Sequence, residues 1–160
     1  MREFWFENSG KPLYAVEDGA GRPIIMLHGG LADHRACLPM VSPLSARFRV
    51  ITPDLRASGR SRDPRPLDWA QLAKDVGALM DHLGLRKAVV GGVSGGTGAA
   101  VRFALDHPER VAGLVVVMPV YAGADQGLTE QQAAAFAMME RIGSRAPAEG
   151  VQVLRELFAG

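Results

Sequence analysis

The sequence predicts an α/β fold, a doubly wound and mostly parallel sheet whose short strands alternate with helices. Three apolar runs, at residues 23–27, 49–52 and 88–92, contain many β-branched residues and have the length of strands covered on both faces. Between the second and third runs, apolar residues recur at helical spacing over residues 69–83. Strands that alternate with helices in this way form parallel sheets through right-handed crossovers.

The other segments of the first 120 residues fit the same alternation. Residues 3–7 and 11–17 predict two short strands, and the turn sequence NSG between them indicates an opening hairpin. Residues 36–46 predict a short helix, although they contain two prolines. Residues 95–107 predict a helix followed by a proline, and residues 111–118 predict a further strand. We therefore expect a sheet of about six strands.

The pattern changes after Pro119. Residues 129–142 and 147–158 predict helices, and no apolar run typical of a strand follows them. We therefore expect a partial α/β core over residues 1–120 and a separate helical segment over residues 121–160. On this expectation the fold is truncated after its last predicted strand.

The composition favours a globular cytoplasmic protein over one that binds nucleic acid or membranes. The chain has 160 residues, is 48% hydrophobic and carries 18 basic and 17 acidic side chains, which gives a net charge of +1. A net charge this small creates no strong field for nucleic acid or an anionic membrane surface. The first residues lack the pattern of a signal peptide, and no apolar run reaches the ~20 residues that a membrane-spanning helix needs.

The strongest chemical signal is the sequence GVSGG at residues 92–96, which fits G-x-S-x-G and lies between a predicted strand and a predicted helix. In this context Ser94 sits on a sharp, strained turn, and the glycines two positions before and after it let neighbouring backbone come close. The helix that begins at Gly95 points unpaired N–H groups at Ser94. We therefore predict that Ser94 is a nucleophile and that the Gly95 N–H group stabilises an oxyanion.

A second oxyanion donor is expected from the sequence HGG at residues 28–30. This segment follows the predicted strand over residues 23–27, so it leaves the sheet at the edge where Ser94 is expected. Glycines in this loop let its backbone approach a substrate carbonyl, and we assign the Gly30 N–H group as the second donor. His28 is expected to brace the loop by hydrogen bonding rather than to act as a base.

Two other interpretations of the turn at Ser94 compete with catalysis. A serine at the start of a helix can serve as an N-cap alone. Turns of this kind also bind phosphate, but Thr97 stands where the phosphate-binding pattern requires lysine, and no G-x-G-x-x-G spacing fits residues 91–98. The presence of HGG after an earlier strand favours the nucleophile, and nucleotide binding is disfavoured.

The remaining candidate ligands predict no metal site. Asp33 and His34 are adjacent, but no other His, Asp or Glu lies near them at ligand spacing in the sequence. His82 and His107 fall in an amphipathic helix and at a helix end, where histidines are commonly solvated or capping. Cys37 is the single cysteine, which excludes an internal disulfide, and we expect it to be buried.

Four segments occur in a fixed order along the chain: HGG at 28–30, DLRASGRS at 54–61, GVSGG at 92–96 and HPERV at 107–111. Together they resemble the α/β-hydrolase superfamily, and within it the lactonase, esterase and cofactor-free haloperoxidase-like group. The resemblance runs from about residue 4 to residue 118. It implies that Asp54 and Arg56 belong to a structural loop rather than to a catalytic pair. Ala57 is a departure, because the family usually has glycine there.

The resemblance implies a serine hydrolase that acts on a small ester, thioester or lactone through an acyl-enzyme on Ser94 and needs no cofactor. The catalytic triad of this fold follows the chain order serine, acid, histidine. No histidine follows His107, and Asp125 corresponds to an acid only in some relatives. The triad acid and histidine are therefore expected to be missing from this chain. The resemblance also implies that residues 121–160 begin a helical lid.

Three hypotheses remain open at this point. The first is the serine hydrolase, active when the rest of its domain is present. The second is a non-catalytic truncated binding or scaffold protein that self-associates through an open sheet edge. The third is completion in trans, in which a second polypeptide supplies the acid and the histidine.

Overall fold

A computed structural model of the chain describes residues 1–63, 68–119 and 130. Within these residues, six strands form a single sheet. The strands are β1 (Arg2–Asn8), β2 (Lys11–Asp18), β3 (Arg22–Leu27), β4 (Phe48–Pro53), β5 (Ala88–Val93) and β6 (Val111–Val117). The predicted α/β class and its six strands are confirmed. The predicted helices over residues 129–142 and 147–158 lie outside the described residues.

The sheet follows the order β1-β2-β4-β3-β5-β6 and is mostly parallel. β1 and β2 form the predicted antiparallel hairpin, and β2 also runs antiparallel to β4. From β4 through β3 and β5 to β6, every neighbouring pair is parallel. Because β3 and β5 are parallel neighbours, the loop after β3 and the turn after β5 emerge side by side at the carboxyl ends of these strands.

Three α-helices connect these strands: α1 (Leu38–Val41), α2 (Trp69–His82) and α3 (Gly95–Asp106). The Asp68 carboxylate caps α2 by accepting a hydrogen bond from the Ala70 N–H group at 2.9 Å. Gly84 follows the helix with a φ of +65°, a conformation that glycine adopts easily. None of the helices in the described part of the chain combines the length and the apolar content that crossing a bilayer requires.

The predicted helix over residues 36–46 is wrong as a continuous element. The segment instead contains the short helix α1, with 3-10 helices at His34–Ala36 and Ser42–Ala46 on either side. Pro39 and Pro43 explain the interruptions, because a proline lacks the N–H group that a helix interior needs and is tolerated only in the first turn. Each proline accordingly lies in the first turn of one of the short helices.

Helices cover both faces of the sheet, as a doubly wound fold requires. Adjacent residues of β3 point to opposite faces, with Ile25 in one buried cluster and Met26 in another. The first cluster contains buried residues of α2 and α3, among them Leu72, Val76, Leu79, Ala99, Ala100 and Phe103. The second cluster contains Cys37 and Val41. Burial raises the pKa of the Cys37 thiol to about 11, so this cysteine is unreactive at neutral pH.

β6 is the edge strand of the described sheet, and its apolar side chains are poorly covered. It pairs with β5 on one side. Leu114, Val115 and Val116 are 42%, 38% and 42% exposed. An apolar edge of this kind is a site at which a further strand or another chain can add.

The backbone conformation of Ala57, in the loop after β4, explains why the family that this chain resembles usually has glycine at this position. Ala57 is exposed and has a φ of +66°, which lies in the left-handed region. That conformation costs a residue with a side chain about 1 kcal/mol relative to glycine. The loop keeps its shape because the Ala57 N–H group donates to the Ser61 carbonyl at 2.8 Å.

A buried ionic network fixes the same loop to the sheet and to α2. The Arg56 guanidinium donates to both carboxylate oxygens of Asp75, at 2.8 and 2.6 Å, and to Asp63 at 2.8 Å. The Asn8 side-chain amide also donates to Asp75 at 2.6 Å. The hydrogen bonds to Asp75 and Asp63 raise the pKa of Arg56, so its charge is permanent. Arg56 therefore belongs to a structural network, as the resemblance implies.

Replacement of Arg56 by methionine should destabilise the protein by about 3–5 kcal/mol, because it removes the cation that pairs with the buried carboxylate of Asp75. The free energy of unfolding in urea measures this loss. Arg102→Met is the matched control, since Arg102 forms an exposed pair with Asp106 and should contribute less than about 0.5 kcal/mol. Equal losses in the two variants would contradict a structural role for the network.

Candidate active site

Ser94 occupies a strained turn between β5 and α3. Its φ is +49° and its ψ is −118°, a combination that residues with side chains rarely adopt. The Ser94 N–H group donates to the Val117 carbonyl at 2.9 Å, and the Ser94 carbonyl accepts hydrogen bonds from both the N–H group and the hydroxyl of Thr97. The strained residue is thus held from both sides, and its side chain remains partly exposed.

The glycines of the motif are explained by direct backbone contact. A methyl group built on Gly92 would lie 2.2 Å from the carbonyl carbon and oxygen of Gly96. A methyl group built on Gly96 would lie 2.5 Å from the carbonyl oxygens of Leu27 and His28. A side chain at either position would therefore force the turn open.

The Ser94 side chain does not act as a helix cap. Ser94 stands at the N-cap position of α3, but its side chain makes no capping hydrogen bond. A capping serine would accept from an N–H group of the first helical turn. The interpretation of Ser94 as an N-cap alone is therefore wrong.

The structure brings both predicted oxyanion donors to Ser94. A methyl group built on Gly29 would lie 3.3 Å from Ser94 Cβ and 3.9 Å from Ser94 Oγ. A methyl group built on Gly95 would lie 3.3 Å from the Gly30 nitrogen. Gly95 is the first residue of α3, where the N–H group has no partner within the helix. The N–H groups of Gly30 and Gly95, here called the amide pair, therefore belong to one small region beside the serine.

His28 braces the loop that carries Gly30. The Leu55 N–H group donates to His28 Nε2 at 2.9 Å, so this nitrogen carries no proton. The proton consequently lies on Nδ1, which donates to the Gly29 carbonyl at 2.6 Å. Burial lowers the pKa of His28, outweighing the hydrogen bond to Gly29 and the negative charges of Asp54 and Asp33. His28 is therefore neutral, and each of its ring nitrogens forms a hydrogen bond that holds the loop in place.

No hydrogen bond joins Ser94 to any of the other three histidines, all of which lie in the described residues. His34 Nδ1 lies 2.7 Å from Asp54 Oδ1, and its ring packs 5.4 Å from that of Tyr14 on β2. His82 ends α2, and its ring stacks 5.6 Å from that of Phe4 on β1, four positions from β5 in the sheet. His107 follows α3, about 18 Å along the helix from its first residue. Asp125, the other sequence candidate, lies outside the described residues.

Asp54 joins Asp33 and His34 in space, which the sequence spacing did not indicate. The candidate ligand atoms of the three residues lie within 4.8 Å of one another. Hydrogen bonds account for this arrangement, because Asp54 accepts from the N–H groups of His34 and Arg60, each at 2.8 Å. The carboxylate of Asp33 is paired with Arg35, which lowers the pKa of Asp33 to about 2. The cluster ties the loop after β3 to the loop after β4.

Sequence reasoning did not connect Trp69 with the site. Its helical spacing predicted only an apolar position on α2. In the structure the Trp69 indole lies against the first turn of α3, and a methyl group built on Gly95 would lie 3.9 Å from its Cη2 atom. Gly98 supplied the available sequence signal, because a glycine within a helix often marks a close neighbour.

The pattern of the α/β hydrolase fold family matches residues 22–148 of this chain, well over half of its length. The chain belongs to the α/β-hydrolase fold family.

Several relatives of the chain are named as hydrolases. The RutD protein of Caulobacter vibrioides, named as a carbamate hydrolase, is 43% identical over 101 residues, which are 61% of this chain and 38% of RutD. A soluble epoxide hydrolase from Corynebacterium is 34% identical over 110 residues, 68% of this chain and 38% of that enzyme. An esterase from Thermogutta terrifontis is 30% identical, with a TM-score of 0.73 over 89% of this chain and 53% of the esterase. The chain thus spans about two fifths of these curated relatives and about half of the esterase.

Replacement of Gly92 by alanine should open the turn, because the new methyl group would meet the Gly96 backbone. We expect a loss of stability of about 2–3 kcal/mol in urea unfolding. Gly77→Ala in α2 is the matched control, since its methyl group would meet Phe103 at an ordinary 3.7 Å. Alanine is the better helix former, so the control should be neutral or stabilising by up to about 1 kcal/mol. A Gly92 variant as stable as the control would contradict the described turn.

The contribution of His28 to the stability of the folded protein should decrease as the pH is lowered. Its pKa in the folded protein is below the ordinary value of 6.5, so the unfolded chain takes up the proton first. The stabilisation is fully present above that value and is lost as the pH falls through it towards the folded pKa. The difference in unfolding free energy between the wild type and His28→Asn should therefore shrink from about pH 7.5 to about pH 5. A difference that grows on acidification would show that His28 is charged in the folded state.

Proposed function

We propose that the protein is a serine hydrolase that acts on a small ester, thioester or lactone, with Ser94 as the nucleophile and the N–H groups of Gly30 and Gly95 as the oxyanion hole. The observation that carries the proposal is the partly exposed Ser94 side chain on a strained turn beside the amide pair. Membership of the α/β-hydrolase fold family, together with relatives that are named as hydrolases, supports it. The choice of an ester, thioester or lactone goes beyond what those names state.

In this mechanism the Ser94 hydroxyl attacks the acyl carbon and gives its proton to a histidine base. The carbonyl oxygen becomes an oxyanion that accepts hydrogen bonds from the amide pair. The alcohol or thiol then leaves with the proton, and water hydrolyses the acyl-enzyme by the same steps. No cofactor enters the mechanism.

The base and its acid are proposed to lie outside these 160 residues. None of the four histidines forms a hydrogen bond with Ser94 in the described part of the chain, and the fold places its histidine after the acid in chain order. We further propose that residues 1–120 are part of the hydrolase core and that residues 121–160 begin its lid. Both assignments agree with a chain that spans 53% of the esterase.

A serine nucleophile favours carbonyl substrates over epoxides. Attack of a hydroxyl on an epoxide carbon would form an ether, which water does not cleave at neutral pH, so the enzyme could not turn over. Attack on a carbonyl carbon forms an ester, which the same machinery hydrolyses. The carbonyl of a carbamate, the substrate class in the name of RutD, is compatible with this chemistry as well.

The exposed edge of β6 supports a second candidate function, a non-catalytic protein that self-associates through this strand. Its apolar side chains are 38–42% exposed at Leu114, Val115 and Val116. Sedimentation analysis of the 160-residue chain and of Val115→Lys distinguishes the candidates. Association through β6 predicts a discrete oligomer that the lysine converts to monomer, together with no reaction at Ser94.

Ser94→Ala should abolish covalent labelling by a fluorophosphonate and the burst of nitrophenol from an activated ester, with turnover falling at least about a thousandfold. The measurement uses the protein at its full natural length, with peptide mapping of the labelled site. Ser42→Ala is the control, because Ser42 is an exposed serine in a surface 3-10 helix. A burst of unchanged size in Ser94→Ala would remove the proposal.

A further inference from the structure

Trp69 lies directly on the backbone of the helix that follows the nucleophile. A methyl group built on Gly98 would lie 2.7 Å from the indole atoms Cε3 and Cζ3 of Trp69. The six-membered ring of the indole is therefore in contact with the first turn of α3, where glycine leaves room for it. This contact fixes the position of the indole relative to Ser94.

The Cη2 atom of the indole lies near Gly95, one of the two residues of the amide pair. The point at which a Gly95 side chain would begin is 3.9 Å from Trp69 Cη2 and 3.3 Å from the Gly30 nitrogen. The two oxyanion donors and the apolar edge of one ring therefore border the same small region. A substrate whose carbonyl oxygen binds the amide pair would bring its neighbouring atoms close to this edge.

Trp69 differs from the core residues of its own helix. Leu72, Val76 and Leu79 are 0–2% exposed, whereas Trp69 is 39% exposed. A tryptophan that served packing alone would gain most from full burial. Part of this uncharged ring is therefore open to solvent beside the first turn of α3.

We propose that Trp69 is a specificity-determining residue whose indole forms an apolar wall beside the amide pair and binds an apolar acyl substituent of the substrate. The proposal rests on the hydrolase function of Ser94 and adds the chemical class of the acyl group, an alkyl or aryl chain rather than a charged one. Contact with the indole removes apolar surface of such a chain from water, and this binding strengthens with each added methylene group.

The test compares kcat/KM for 4-nitrophenyl acetate and 4-nitrophenyl hexanoate in the full-length protein. Trp69→Ala should lower kcat/KM for the hexanoate at least about tenfold more than for the acetate. Fluorophosphonate labelling of Ser94 should persist in this variant, since the nucleophile is untouched. Trp5→Phe is the matched control, because Trp5 is 49% exposed on β1 and packs on Tyr14. An equal fall for both esters would overturn the proposal.

Two further variants keep the test valid if Trp69→Ala does not fold. Trp69→Phe retains a smaller ring and should show an intermediate preference for the hexanoate. Gly98→Ala leaves the indole unchanged but places a methyl group where the ring now lies, so it should displace the wall and reduce the same preference. A full preference for the hexanoate in a folded Gly98→Ala variant would also contradict the proposal.

A binding measurement separates this proposal from the function of Ser94. Trp5→Phe leaves Trp69 as the one tryptophan of these 160 residues, which contain two. Titration of this variant with 4-nitrophenyl hexyl ether, which cannot be hydrolysed, should quench its fluorescence saturably. The same titration of Trp69→Phe, which retains Trp5, should give no saturable quenching. Saturable quenching without any labelling of Ser94 would refute the hydrolase and support the wall, and absence of quenching would overturn the wall.

Discussion

The contact between the backbones of Gly92 and Gly96 is the constraint on which the candidate site depends. It allows β5 to turn into α3 within a few residues and holds Ser94 at a φ of +49°. Gly96 also packs on the carbonyl groups at the end of β3, so the turn is fixed to the neighbouring strand as well. One close approach therefore positions the serine, the start of α3 and the loop that carries Gly30.

The strain at Ser94 persists because hydrogen bonds hold it in place. A residue in such a conformation costs about 1–3 kcal/mol, which the surrounding structure must offset. Here the N–H group of Ser94 donates a hydrogen bond to the Val117 carbonyl of β6. The Ser94 carbonyl accepts hydrogen bonds from both the N–H group and the hydroxyl of Thr97. The adjacent loop is held by His28, whose neutral state places no positive charge beside the amide pair. The candidate oxyanion donors are thus backbone groups on a rigid scaffold, which need little rearrangement during a reaction.

Local sequence patterns predicted the strands, the hairpin and the turn at Ser94, because each depends on residues close together in the chain. The prediction of one helix over residues 36–46 was wrong because it gave too little weight to Pro39 and Pro43, which interrupt the helix. The approach of Asp54 to His34 and of Trp69 to Gly98 could not be predicted, since both depend on how distant elements pack. Trp69 in particular looked like any apolar residue of α2 until the crossing of α2 and α3 was known.

The most direct test of the central claim is a crystal structure of the full-length protein with a phosphonate bound covalently to Ser94, because the adduct imitates the tetrahedral intermediate. A phosphonyl oxygen should lie about 2.7–3.1 Å from the nitrogens of both Gly30 and Gly95. An adduct on Ser94 whose oxygens contact neither nitrogen, or a phosphonate bound to a different residue, would contradict the claim that this turn and loop form an oxyanion hole.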